Sequence, residues 1–227
     1  TLTSGWISHV LYSSGETLSK VTIRGGELRG LVAGASSGSA IRMNCDDLIL
    51  DNILIRYAGR VGMQLLLSGN RGRVSGIRTL DPYIVANGYD GIHFIAGTDW
   101  LFSDCHIEAD DDCYAVVTGA DNLPSFGNTN ISNIHFVNCT YTCNRSRGFV
   151  VTTDGTTASI NNVTFISGGG AAPVDATATA SGMEVSNTGS GTVSGIVVDG
   201  TFVDNSTSGT TAGALRINNT GSGSVEN

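Results

Sequence analysis

Short apolar clusters recur along this chain at two fixed phases, and no other feature of the sequence constrains the fold as strongly. Six segments form the first column: Ile49-Leu50-Asp51-Asn52, Arg73-Val74-Ser75-Gly76, Phe102-Ser103-Asp104-Cys105, Phe136-Val137-Asn138-Cys139, Phe165-Ile166-Ser167-Gly168 and Val197-Val198-Asp199-Gly200. Their closing positions, from Asn52 to Gly200, advance by 24, 29, 34, 29 and 32 residues. Gly and Asn tolerate the positive φ that a tight bend between strands demands. Cys fits that column less well, so the register at Cys105 and Cys139 stays open by one residue. A second column follows each bend: Gly62-Met63-Gln64-Leu65, Gly91-Ile92-His93-Phe94, Cys113-Tyr114-Ala115-Val116, Gly148-Phe149-Val150-Val151, Gly182-Met183-Glu184-Val185 and Ala214-Leu215-Arg216-Ile217. Constant strand phase with variable spacing places the insertions in loops. The pattern predicts a right-handed parallel β-helix of roughly seven coils, in which each coil buries its inward residues against its neighbours. It covers residues 1–227 as a single domain, read as a piece of a longer chain. An antiparallel sandwich would call for hairpin turns such as Asn-Gly, and Asn87-Gly88 is the one Asn-Gly dipeptide.

The rest of the composition narrows the function. The chain carries 31 Gly, is 14% charged and 7% aromatic, and shows no amphipathic helical window of three turns. A formal charge of −8 with a single lysine, Lys20, lacks the basic stripe that nucleic acid would require. No apolar run approaches the roughly 18 residues that would predict membrane insertion. The cysteines number five, Cys45, Cys105, Cys113, Cys139 and Cys143, without a Cys-x-x-Cys pair. No zinc site, other metal or cofactor is therefore expected. The thiols are either buried in the core or partly paired, Cys113 with Cys139 or Cys143.

The second column also carries acid. Asp90 directly precedes Gly91, and Asp111-Asp112 directly precede Cys113, at offsets of 21 and 22 residues. Adjacent coils lie about 4.8 Å apart, so these carboxyl groups are expected within about 5 Å of one another. One Asp at a strand start is ordinarily a turn former. Three at matched phase, with His93 and Arg147 at nearby phases, read better as an acid–base site, because clustered carboxylates hold one proton near neutrality. Asp104 and Asp121 are assigned to turns.

With these motifs in view, the sequence resembles the polygalacturonase family of glycoside hydrolases, family 28. That family carries Asn-Thr-Asp-Gly, then Asp-Asp about one coil later, then Gly-His-Gly and Arg-Ile-Lys. Tyr89-Asp90-Gly91-Ile92-His93 matches the end of the first motif, and Asp111-Asp112-Cys113-Tyr114-Ala115-Val116 matches the second. The resemblance is specific over residues 87–119 and diffuse elsewhere. It implies that Asp111 is the general acid and that Asp90 and Asp112 activate the attacking water, with inversion. It also implies an exception to the carboxylate spacing of about 6.5–9.5 Å usual for inverting enzymes. His93, Tyr89 and Tyr114, beside the acids, are candidate substrate contacts. Arg147 stands where the family has His, and Gly182-Met183-Glu184 stands where it has Arg-Ile-Lys. Unmodified galacturonan is therefore expected to be a poor substrate. Either Arg145 and Arg147 recognise an acidic sugar or the substrate is neutral.

The expected partner is a polysaccharide and the expected setting extracellular, as a secreted enzyme. A second reading is a viral tailspike that binds, and with or without cleavage processes, surface glycan; it would sit on the virion tail as a homotrimer. A purely structural solenoid would show no turnover.

Overall fold

The computed structural model describes residues 2–3, 9–13, 17–29, 39–56, 62–80, 89–119, 130–154, 157–171, 181–203 and 213–226. No helix occurs among them. Three parallel ladders run the length of the molecule. The first stacks His9–Tyr12, Ser39–Asp46, Gly62–Asn70, Tyr89–Ser103, Tyr114–Gly119, Arg147–Asp154, Ser181–Asn187 and Gly213–Asn219, each paired in parallel with the next. The second runs from Thr22–Arg24 through Ile49–Asp51, Arg73–Ser75, the end of Tyr89–Ser103 and Ile131–Val137 to Ile160–Ala171 and Thr192–Val203. The third includes Glu27–Arg29, Leu54–Arg56, Arg78–Leu80, His106–Ala109 and Thr140–Cys143. A chain that visits three parallel ladders in turn and returns one step higher is a parallel β-helix. Seven parallel steps on the first ladder agree with the expected coil number.

The second column of the sequence aligns as expected from Ile92 onward, with Ile92, Tyr114, Phe149, Met183 and Leu215 as successive partners. The earlier partner of Ile92 is Leu65 rather than Met63, a slip of two residues that keeps the same face. The bend column needs a one-residue correction in its middle. Left-handed backbone occurs at Asn52, Gly76, Asp104, Asn138 and Ser167, so the bends precede Cys105, Cys139 and Gly168. Cys105 and Cys139 instead take the inward position after the bend, as Ile53 and Ile77 do in earlier coils. Gly200 pairs with Gly168 without a left-handed residue, Ser167 being a one-residue bulge against that coil. The other corner has its own left-handed series, Lys20, Asp47, Arg71, Asp99, Asn133 and Asn162. Its members are cross-linked from coil to coil: Arg71 to Asp47, Asn133 to Asp99 and Asn162 to Asn133.

Inward residues stack like on like. Phe102, Phe136 and Phe165 are successive partners on the second ladder. The rings of Phe102 and Phe136 stand 4.6 Å apart with planes 9° from parallel, and Phe149 meets Phe136 edge-on at 4.7 Å. Each such ring removed from water contributes about 1.5–3 kcal/mol. All five cysteines are buried free thiols, so the pairing of Cys113 with Cys139 or Cys143 is not present. Tyr114 belongs to this interior as well. It is fully buried, and its hydroxyl donates to the carbonyls of Cys105 (3.2 Å) and Thr140 (2.9 Å).

Candidate active site

Asp90, Asp112 and Arg147 occupy one position on three consecutive rungs of the first ladder. The register is written in the backbone: the Gly91 N–H donates to Asp112 O at 2.7 Å, and the Cys113 N–H to Arg147 O at 3.0 Å. Gly91 permits this approach, since a Cβ there would lie 2.1 Å from Ile107 Cγ2 and 2.4 Å from Cys113 O. Side chains at matched positions of stacked rungs are forced together, and here they bring carboxylates together. One oxygen from each of Asp90, Asp111 and Asp112 lies within 4.8 Å of the others. The three expected catalytic residues therefore converge.

Their surroundings differ. Asp90, partly exposed, is oriented from two sides: its Oδ2 meets His93 Nδ1 at 3.0 Å, and its Oδ1 accepts the Asp112 N–H at 3.1 Å. Asp112 is buried and held by a fork. Arg147 Nε and Nη2 donate to its Oδ1 and Oδ2 at 2.7 Å each, while the Ser146 hydroxyl and the Arg147 N–H also donate to Oδ1. Burial raises the Asp112 pKa despite the opposing Arg147 charge. Burial also raises that of Asp111, reinforced by the Asp112 charge and opposed by Ser146, Arg147 and Arg145. A carboxyl with a raised pKa and an opening to solvent is suited to donating a proton. The three carboxylates lie close enough together to share a cation, with Asp112 already accepting from Arg147 at both of its oxygens.

The expected substrate contacts sort unevenly. Tyr114 is corrected to a core residue, because its rung position points inward and leaves no surface for a sugar. His93 is 2% exposed, its Nδ1 meets Asp90 Oδ2, and it offers little surface to a ligand. Arg147 is committed to Asp112, and Arg145, more exposed, faces Asp110 at 3.7 Å. Tyr89 begins the strand that carries Asp90, and its side chain lies outside the described residues, as does Asp121.

Three further residues belong to the site without having been expected there. Glu184, 5% exposed, has its Oε2 at 3.6 Å from both Arg147 Nη1 and Arg216 Nη1. Asp110 is fully buried with neither oxygen hydrogen-bonded. Ser146 completes the Asp112 fork. The signal for Glu184 was its phase: His93, Ala115, Val150, Glu184 and Arg216 are successive partners in one column. In comparisons with known proteins, no family model, curated protein or solved structure matches the chain.

Proposed function

We propose that this β-helix is a glycoside hydrolase that cleaves a polysaccharide at the aspartate cluster. The convergence of Asp90, Asp111 and Asp112 within 4.8 Å carries the reading. Asp111 donates its proton to the glycosidic oxygen as the bond to the anomeric carbon breaks. A water attacks that carbon from the opposite face and gives a proton to Asp90. The bidentate Arg147 fork makes Asp112 a poor base, so it acts by fixing the Asp90 carboxylate through its N–H and by keeping a negative charge beside Asp111. That charge favours the protonated form of Asp111. The general spacing rule would place so close a pair nearer the retaining class; the resemblance to polygalacturonases favours inversion, which the anomeric configuration of the first-formed product reports. The expected setting is extracellular.

Asp111→Asn keeps the shape but cannot supply the proton. Reducing-end release from a panel of neutral and acidic polysaccharides should fall by about 10²–10⁴-fold. The wild-type rate should also decline toward alkaline pH as Asp111 ionises. Near-full turnover in the variant would refute the assignment. A second reading, a tailspike-type solenoid that binds glycan without cutting it, is favoured by the same Arg147 fork, which leaves Asp90 alone to activate the water where the family resemblance implies two aspartates. It predicts glycan retention without reducing-end release by the wild type.

A further inference from the structure

A chain of alternating charge leaves the aspartate cluster and spans four successive rungs: Asp112, Arg147, Glu184, Arg216. The contacts are 2.7 Å from Asp112 to Arg147 and 3.6 Å on either side of Glu184 Oε2. Arg147 and Arg216 keep 26% and 29% of their side chains exposed, so both are partly open to solvent. Yet each is answered by a protein carboxylate, and so is Arg145, which faces Asp110. With Asp111 holding its proton as the acid, four carboxylates, Asp90, Asp110, Asp112 and Glu184, stand against three guanidinium groups. An anionic sugar arriving here would meet cations already neutralised and an excess of like charge. Partly buried charges of this kind are only weakly screened by salt.

Glu184 is the element that makes the difference. It is nearly buried, and Oε2 accepts no hydrogen bond although two arginines flank it. A buried carboxylate oxygen kept there without a direct donor is expensive to the fold. Its effect on the site is to occupy the gap between the two cations that a carboxylate ligand would otherwise bridge. We propose that Glu184 is a specificity-determining residue that reserves the site for an uncharged glycan by withholding Arg147 and Arg216 from anionic sugars. The inference rests on the glycan reading of the aspartate cluster and adds the substrate class.

The test uses polyuronates of galacturonate, glucuronate and mannuronate type, each beside its carboxyl-reduced, neutral counterpart, so that members of a pair differ only at C6, carboxylate against hydroxymethyl. Binding is read by affinity electrophoresis and cleavage by reducing ends. Wild-type protein should favour the neutral member of at least one pair by about tenfold or more. Glu184→Gln, near-isosteric, should narrow or reverse that preference, because both arginines then lack their competitor. Should that variant fail to fold, Arg216→Gln serves instead and should widen the preference. Equal or better binding of the charged member by the wild type, an unchanged preference in Glu184→Gln, or no binding in any pair overturns the proposal. A neutral preference in binding with no reducing ends released would refute the hydrolase reading while upholding this one. Cleavage without charge preference would do the reverse.

Discussion

The same rungs carry two stacks, one inside the coil and one at its edge, and they obey different rules. Inside, Tyr114, Phe149 and Met183 follow one another on the first ladder, and Phe102, Phe136 and Phe165 on the second. These side chains need only fill space, and any ring or aliphatic group of the right volume would be stabilised by dispersion and by leaving water. At the strand starts, Asp90, Asp112 and Arg147 stack just as closely, but each is ionisable. There the same spacing of about 4.8 Å forces charges together, and the buried Asp112 is tolerated because Arg147 answers it in sign and geometry. Repetition thus makes an interior robust to the identity of its members and makes a charged edge dependent on them.

That contrast can be broken from either side. The largest stability effect is expected in the interior. Phe136→Ala removes a ring contacting Phe102 and Phe149 at 4.6 and 4.7 Å and should destabilise by about 3–5 kcal/mol in denaturant titration. At the edge, Arg147→Met leaves Asp112 buried without its fork and should lose about 3 kcal/mol. Adding Asp112→Asn should return much of that loss. Full additivity of the two edge changes would deny the dependence argued above.

A smaller effect of opposite sign is expected at Asp110, fully buried with neither oxygen hydrogen-bonded. Burial raises its pKa, the nearby Asp111 charge adds to this, and Arg145 opposes it. The folded value exceeds the unfolded one, so the folded state binds the proton more tightly. This contribution to stability is fully present below the ordinary Asp range and is lost as pH rises through the folded value. Asp110→Asn, which cannot ionise, should therefore stabilise by about 1 kcal/mol at neutral pH and by little in acid, as melting temperatures across pH would show. The smallest change should come from Asp104→Asn. Asn adopts the left-handed backbone at φ 55° as readily as Asp, and its side-chain oxygen can still accept from Asn138, as Asp104 Oδ1 does at 2.7 Å. Stability should move by no more than about 0.5 kcal/mol and activity should not move.

Much of the interior is legible in the amino-acid pattern alone. Period-two strands announce themselves through apolar residues whose identity hardly matters, and constant phase survives coil lengths that vary from 24 to 34 residues. The bend register is less legible at Cys105 and Cys139. Asp104 and Asn138 take left-handed backbone there, while a small thiol fills the inward place held elsewhere by Ile53 and Ile77. The second corner is signalled at Asp47, Asp99, Asn133 and Asn162, types that tolerate left-handed backbone, but not at Lys20 and Arg71, neither of which favours that conformation.

Of the site, the sequence by itself determined the phase of Asp90, Asp111 and Asp112 and hence their meeting, because stacking distance follows from repeat position alone. What each neighbour does was decided only by the tertiary structure. Tyr114 has the sequence position of a sugar platform beside the acids, but one-residue alternation turns it into the core. Arg147 has the position of a ligand contact, yet it closes on Asp112, and Glu184 takes its remaining face. Direction of a side chain and choice of ionic partner depend on three rungs at once, and a linear pattern of types carries no record of which partner is reached first.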